Sequence, residues 1–215
     1  NGHVDVKIHR ATILSDSLTA LYRLSKADMH KIFRFEFLGE PGIDAGGLTR
    51  EWYTVLSEQL FDPNRGLFLN STINQMCMQI NPNSGIANEH HLRYFHLAGR
   101  VLGKALMDGQ ITPVHLVQPL YKHLMGWPMT MNDIEHIDNM VHRNLLGLLH
   151  MEDINMLCLD FTVTEDQLGV TQTINLISGG DNIEVSADNL PQYLREQLKY
   201  RLFTRIKPQL SEFLR

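Results

Sequence analysis

Eleven histidines and two cysteines are the side chains with which this 215-residue chain would do metal or nucleophilic chemistry. His90, His91 and His96 cluster beside Glu89. A zinc-binding H-E-x-x-H helix needs its histidines four apart with the glutamate between them, whereas His91 and His96 are five apart and Glu89 precedes both. His115 and His123 are eight apart with no neighbouring carboxylate. Capping or solvated histidines are therefore expected, and no metal site. Cys77 stands between Met76 and Met78, and Cys158 lies on an alternating run. Neither has a C-x-x-C partner or a flanking histidine, the features that activate a thiolate, so buried structural thiols are expected.

Gly46-Gly47 raises a phosphate-loop reading, because it lies between a strand pattern and a helix pattern. A Walker loop needs Lys-Ser/Thr after its last glycine. Here Leu48-Thr49-Arg50-Glu51 follow, Glu40 and Asp44 make the loop acidic, and G-x-G-x-x-G spacing is absent. Taken singly, Asp44, Arg50 and Glu51 read as local pairing partners. No cofactor is implied.

The elements that would position these residues follow from periodicity. Phe33, Phe35 and Phe37 alternate with Arg34 and Glu36, a strand with one buried aromatic face. Glu40-Pro41-Gly42 predicts a type II turn, Thr49 a helix cap, and Trp52, Val55, Leu56 and Leu60 the apolar face of that helix. Val4, Val6 and Ile8 suggest a weak strand, and Leu18, Leu21, Tyr22 and Leu24 a helix capped by Ser15 or Asp16. A helix is expected from Glu89 onward, with Ala98, Gly99 and Gly103 open to close approach by another backbone. Thr112-Pro113 is read as the start of the next helix, which Gly126 ends. After a helix around 140–149, Leu157, Leu159, Phe161 and Val163 alternate as a strand, with further strands at 172–177 and 183–185. A long helix runs from Asp188 to Pro208. The organisation expected is a helical body over 1–139, a small α+β insert over 140–190, and a returning helix over 191–215.

Net charge of −5 and a pI near 6.1 argue against nucleic acid as the main partner. With 43% hydrophobic residues the chain can bury a sizeable core. No apolar run is long enough to span a membrane, the start NGHVDVKIHR is no signal peptide, and two cysteines suit a reducing compartment. An intracellular protein of the cytoplasm or nucleus, without a membrane partner, is expected. The end at Phe213-Leu214-Arg215, inside an apolar pattern, reads as a truncation.

Taken together, GEPGIDAGGLTREW (39–52) closely resembles the signature of the HECT ubiquitin-ligase domain. Gly66-Leu67-Phe68, QINPNS (79–84), HLRYF (91–95) and GRVLGKA (99–105) match further family motifs in the same order. The resemblance covers nearly the whole chain. It implies an α+β fold: the mostly helical N-terminal lobe, with a small α+β subdomain inserted. It also implies a thioester mechanism, in which a ubiquitin-charged conjugating enzyme (E2) hands ubiquitin to a ligase cysteine and thence to a substrate lysine. In the family that cysteine sits in a separate C-terminal lobe after a threonine; Cys77 follows Met76 and Cys158 follows Leu157, so neither matches. No catalytic residue is therefore assigned, and the chain alone is expected to bind without catalysing. Its implied partners are an E2, the C-terminal lobe of the same protein, and a substrate held by regions outside the chain.

The same resemblance places the E2-docking groove on the insert, around Val141, Asn144, Leu145, Leu148, Leu157, Leu159 and Tyr193. Gln197 stands where the family commonly has an aromatic. Independently, Val141, Leu145 and Leu148 fall on one helix face at i, i+4 and i+7, with Leu146 and Leu149 on a second side toward the insert's strands. The competing reading is that all of these form the insert's own core. A non-covalent ubiquitin site of the Nedd4-like branch aligns with Arg65, Asn70 and Leu168, none aromatic. Two other classes stay open on the residues alone: a hydrolase or transferase using a histidine cluster (His90, His91) or an acidic one, and an interaction module unrelated to ubiquitin.

Overall fold

Residues 2–41, 45–167 and 169–215 are described by the computed structural model, in which the chain divides into two units. The first comprises 1–69, 80–115 and 208–215, and the second 70–79 and 116–207. This division departs from the expected one. The helix Leu190–Leu202 was assigned to the body, yet Tyr193, Leu194 and Leu202 pack into one cluster with Ile134, Leu145, Ile154, Phe161 and Val185. Apolar burial therefore joins 116–139 and 191–207 to the insert.

In the first unit, strands His3–Ile8 and Ile32–Phe37 pair in parallel, from His3 opposite Ile32 to Ile8 opposite Phe37. The period-2 pattern has its expected effect: Phe33, Phe35 and Phe37 are buried while Ile32, Arg34 and Glu36 are exposed. A tight turn falls on Gly39, whose φ of +84° a side chain would strain, and the Glu40 N–H donates to the Phe37 carbonyl at 3.2 Å; the turn expected over Glu40-Pro41-Gly42 runs beyond the described residues. Gly42 and Asp44 lie outside the described residues. The helix Ala45–Leu60 begins before Thr49, which is thus inside it rather than its cap.

That helix packs Trp52 flat on Phe35, centroids 4.3 Å apart, and Tyr53 edge-on at 6.4 Å. Each such aromatic pair adds about 0.5–1.5 kcal/mol beyond its area burial. The Trp52 indole N–H donates to Ser17 Oγ at 3.0 Å, tying in the helix Ile13–Tyr22. Arg10 bridges Glu40 and Glu51, bidentate to Glu40 at 2.7 and 2.8 Å and donating to Glu51 at 2.8 Å. Lys104, 2% exposed, donates to the Lys31 carbonyl and to Asp108, with the Phe33 ring 4.6 Å away. Asp108 also accepts from the Tyr53 hydroxyl at 2.9 Å. The buried ammonium is thereby paired, as burial of a charge requires.

The second unit replaces several expected elements. The helix read from Thr112 is Gln118–Met125, with Pro119 in its first turn and stopped by Gly126 in a left-handed conformation. The alternating run at 157–163 is not one strand. Residues Ile154–Leu157 form a 3-10 turn, an isolated bridge joins Asp160 to Glu184, and only Thr162–Gln167 is a strand, antiparallel to Val170–Asn175. The expected strand at 183–185 is reduced to that bridge. The long C-terminal helix ends at Leu202 and resumes as Lys207–Leu214 after a 3-10 turn. Gly180 lies so close to the Phe161 carbonyl that a β-carbon would overlap it, which brings Phe161 against Tyr193 at 5.4 Å, edge to face.

Candidate functional site

The helix Asn139–Leu148 is started by Asp138, whose carboxylate accepts the Val141 N–H at 3.0 Å. An aspartate here both fills an orphan donor and faces the positive end of the helix. The helix turns Val141, Asn144, Leu145 and Leu148 to one side. Leu145 is buried, Val141 and Leu148 half-buried, and Asn144 exposed. Leu149 is exposed at 54% and offers no second packing side, contrary to expectation.

Leu157 and Leu159 reach the same place by a turn, not a strand face. Asp153 accepts from the Asn155 N–H at 3.1 Å and opens the 3-10 turn; the Cys158 N–H closes it on the Asn155 carbonyl at 3.1 Å. Cys158 takes φ +46°, the one positive φ of a non-glycine residue among the described residues. Such a residue costs on the order of 1 kcal/mol and holds where the surroundings over-determine it. The Val185 N–H then anchors the Leu159 carbonyl at 2.8 Å.

The opposite wall is one helix, Leu190–Leu202, with Pro191 in its first turn. Tyr193 and Gln197, four apart, sit one above the other, and Gln197 Nε2 donates to the Tyr193 hydroxyl at 2.8 Å. Burial pushes the Tyr193 pKa above its ordinary value, so the phenol stays neutral. All eight residues expected at the groove line one cavity of about 290 Å³. Leu145 and Tyr193 are core residues of the unit, at 5% and 6% exposure, and the groove exposes their outer edges; Leu157, at 41%, stands on the rim.

A ninth lining residue, Arg201, was missed. Its signal was present, since 193, 197 and 201 repeat at helical i+4 spacing. The groove is thus lined by Val141, Leu145, Leu148, Leu157 and Leu159, with Asn144 and a polar stripe of Tyr193, Gln197 and Arg201. Its lining residues include no nucleophile–base pair.

The other candidate residues do not assemble. His91 Nδ1 meets Ser84 Oγ at 2.8 Å, and His96 faces Glu212 at 3.5 Å. Among the described residues no three His, Cys, Asp or Glu side chains converge as metal ligands. Cys77 is half-buried and Cys158 exposed, so neither is the buried thiol expected. Arg65 donates to Gln59 and Asn70 to the Gln75 carbonyl; Leu168 lies outside the described residues. Among the described residues no helix is long and apolar enough to cross a membrane.

Residues 54–215 match the family model described as HECT-domain (ubiquitin-transferase). Among curated proteins, the chain is 36% identical over 211 residues to the E3 ubiquitin-protein ligase Nedd-4 of Drosophila melanogaster, covering 98% of this chain and 21% of that protein. It is 36% identical to NEDD4 of Homo sapiens, covering 97% and 16%, and 37% identical to pub3 of Schizosaccharomyces pombe, covering 99% and 27%. The chain therefore spans about a fifth of the length of these three curated relatives. With three quarters of its length under one family model, and an α+β architecture that agrees, the chain belongs to the HECT-domain (ubiquitin-transferase) family.

Proposed function

We propose that this chain is the part of a HECT ubiquitin ligase that docks a ubiquitin-charged E2, and that the groove of the second unit is where the E2 sits. The observation that carries the reading is the groove itself: residues from a helix, a turn and a second helix converge around a cavity the size of a large side chain. An aromatic side chain on an E2 loop fits there by burying apolar surface against Leu145, Leu148 and Leu159, at roughly 25 cal/mol per Å².

In the whole protein, a ligase cysteine attacks the E2 thioester carbonyl, the new thioester forms, and the E2 thiol leaves. A substrate lysine amine then attacks and an isopeptide bond replaces the thioester. Neither cysteine of this chain serves that step, because among the described residues no histidine or cation is hydrogen-bonded to either sulfur. The chain's own contribution is to hold the donor. Substrate choice belongs to other parts of the protein, and its working place is the cytoplasm or nucleus.

Titration of the chain with a panel of E2 enzymes, read by NMR on labelled E2, tests the proposal. Binding by at least one E2, weakened about fivefold or more by Leu157→Ser with the circular dichroism unchanged, is the expected result. Equal binding by parent and Leu157→Ser moves the docking site elsewhere. Binding by no E2 at all returns the chain to the class of interaction modules unrelated to ubiquitin.

A further inference from the structure

Arg201 continues the polar stripe of the groove beyond Gln197. Its Nε donates to Gln197 Oε1 at 3.1 Å, and Gln197 donates in turn to the Tyr193 hydroxyl. That chain of bonds holds the guanidinium against the groove wall while Nη1 and Nη2 have no hydrogen bond or ion pair among the described residues. The carboxylates nearest it are committed elsewhere. Glu165 binds Arg205 at 2.9 Å, and Asp138 accepts the Val141 N–H that starts the groove helix. Arg205, itself paired with Glu165, is close enough to act on the Arg201 charge. Burial, then Arg205, draws the Arg201 pKa below its ordinary value, but a guanidinium stays charged in a protein. A half-buried cation with an open, planar fork is a poor end state for a groove wall and a good recognition element for a partner oxygen.

We propose that Arg201 is a specificity-determining residue of the groove: it selects a docking loop whose apolar anchor is flanked by an acceptor oxygen in reach of the guanidinium fork. The inference rests on the docking reading above. The acceptor is a carboxylate or a main-chain carbonyl, and both present the same lone pairs to the fork. Gln197 is the positioning residue that aims Arg201, a role that accounts for a glutamine at 3% exposure bonded on one side to the Tyr193 hydroxyl and on the other to Arg201 Nε.

Isothermal titration against the E2 that binds tightest in the panel tests this with four variants. Arg201→Met is expected to weaken binding about fivefold or more, and Arg201→Lys to recover only part, since an ammonium is a point charge without the fork. Gln197→Glu places a carboxylate four residues before Arg201 and is expected to weaken binding as much as Arg201→Met, because it claims the guanidinium internally. Raising salt from about 50 to about 500 mM erases the difference between parent and Arg201→Met if the acceptor is a carboxylate and preserves it if it is a carbonyl. Leu157→Ser reports on docking alone. If Leu157→Ser weakens binding while Arg201→Met and Gln197→Glu stay within about twofold of the parent, the role of Arg201 is overturned and the docking reading stands. If all variants bind like the parent, both fall. Should Arg201→Met lose its circular dichroism signal, Gln197→Glu and Arg201→Lys decide the question by the same criteria.

Discussion

Gly99 faces the main-chain carbonyl of Phe213 so closely that a β-carbon on Gly99 would overlap the carbonyl oxygen and carbon. This contact joins the middle of the helix His91–Met107 to the helix Lys207–Leu214, and Gln209 holds the same helix to the carbonyl of Pro82 and the hydroxyl of Ser84. Gly103, one turn on, has open space where its β-carbon would be.

The two glycines should therefore respond oppositely to alanine. Gly99→Ala forces the C-terminal helix away and is expected to cost about 1–3 kcal/mol, as overpacking does. Gly103→Ala gains helix propensity, up to about 1 kcal/mol. Urea unfolding followed by circular dichroism checks both; equal effects of the two substitutions would contradict the assigned contact.

The groove substitutions should split into two kinds. Leu145 belongs to the unit's core, so Leu145→Ala is expected to lose about 2–5 kcal/mol of stability along with E2 affinity. Leu157 stands on the rim, so Leu157→Ser should lose affinity with stability unchanged within about 0.5 kcal/mol. Thermal melts run beside the binding titrations separate the two, and a rim substitution that unfolds the chain would count against the groove as described.

His96 makes stability fall on the acid side of neutrality. It is 5% exposed, edge-on to Tyr22, with Glu212 at 3.5 Å and with Arg100 and Arg215 nearby. Burial first, and Arg100 second, lower its pKa from the ordinary 6.5. Burial lowers that of His91 as well. The folded state thus holds both rings neutral where the unfolded chain already takes up protons, so stability is full above about pH 6.5 and is lost as pH falls from there toward the folded values. Melting temperatures measured from about pH 8 to pH 5 should decline toward acid, and the His91→Gln, His96→Gln double variant should show a shallower slope. Parallel slopes in parent and variant would show that other groups govern the pH response.

No ubiquitin thioester should form on this chain. Cys158 is exposed, yet among the described residues no base or cation is hydrogen-bonded to its sulfur, and exposure alone does not produce a reactive thiolate. After incubation with activating enzyme, E2, ubiquitin and ATP, a non-reducing gel should show no adduct that dithiothreitol removes. An adduct abolished by Cys158→Ala or Cys77→Ala would refute this.

Much of the chain was legible from local pattern, because local pattern decides faces. The alternation at 33, 35 and 37 settled which face of that strand is buried, since successive strand side chains point to opposite sides. The i, i+4, i+7 spacing of Val141, Leu145 and Leu148 settled that they share a helix side for the same geometric reason. What lay beyond was whatever depends on partners distant in sequence. Leu157 and Leu159 looked like neighbours on a strand, but a strand needs a paired edge, and only the bridge from Asp160 to Glu184 was on offer. The chain turned instead through Cys158, a left-handed conformation that no residue pattern marks for a cysteine. The helix from Leu190 joined the groove unit because Phe161 and Ile134, dozens of residues upstream, completed the core that Tyr193 and Leu194 bury into. Arg201 carried its i+4 spacing in plain sight, yet that it faces a cavity, with the nearest carboxylates already engaged, follows only from where Glu165 and Asp138 fall in three dimensions.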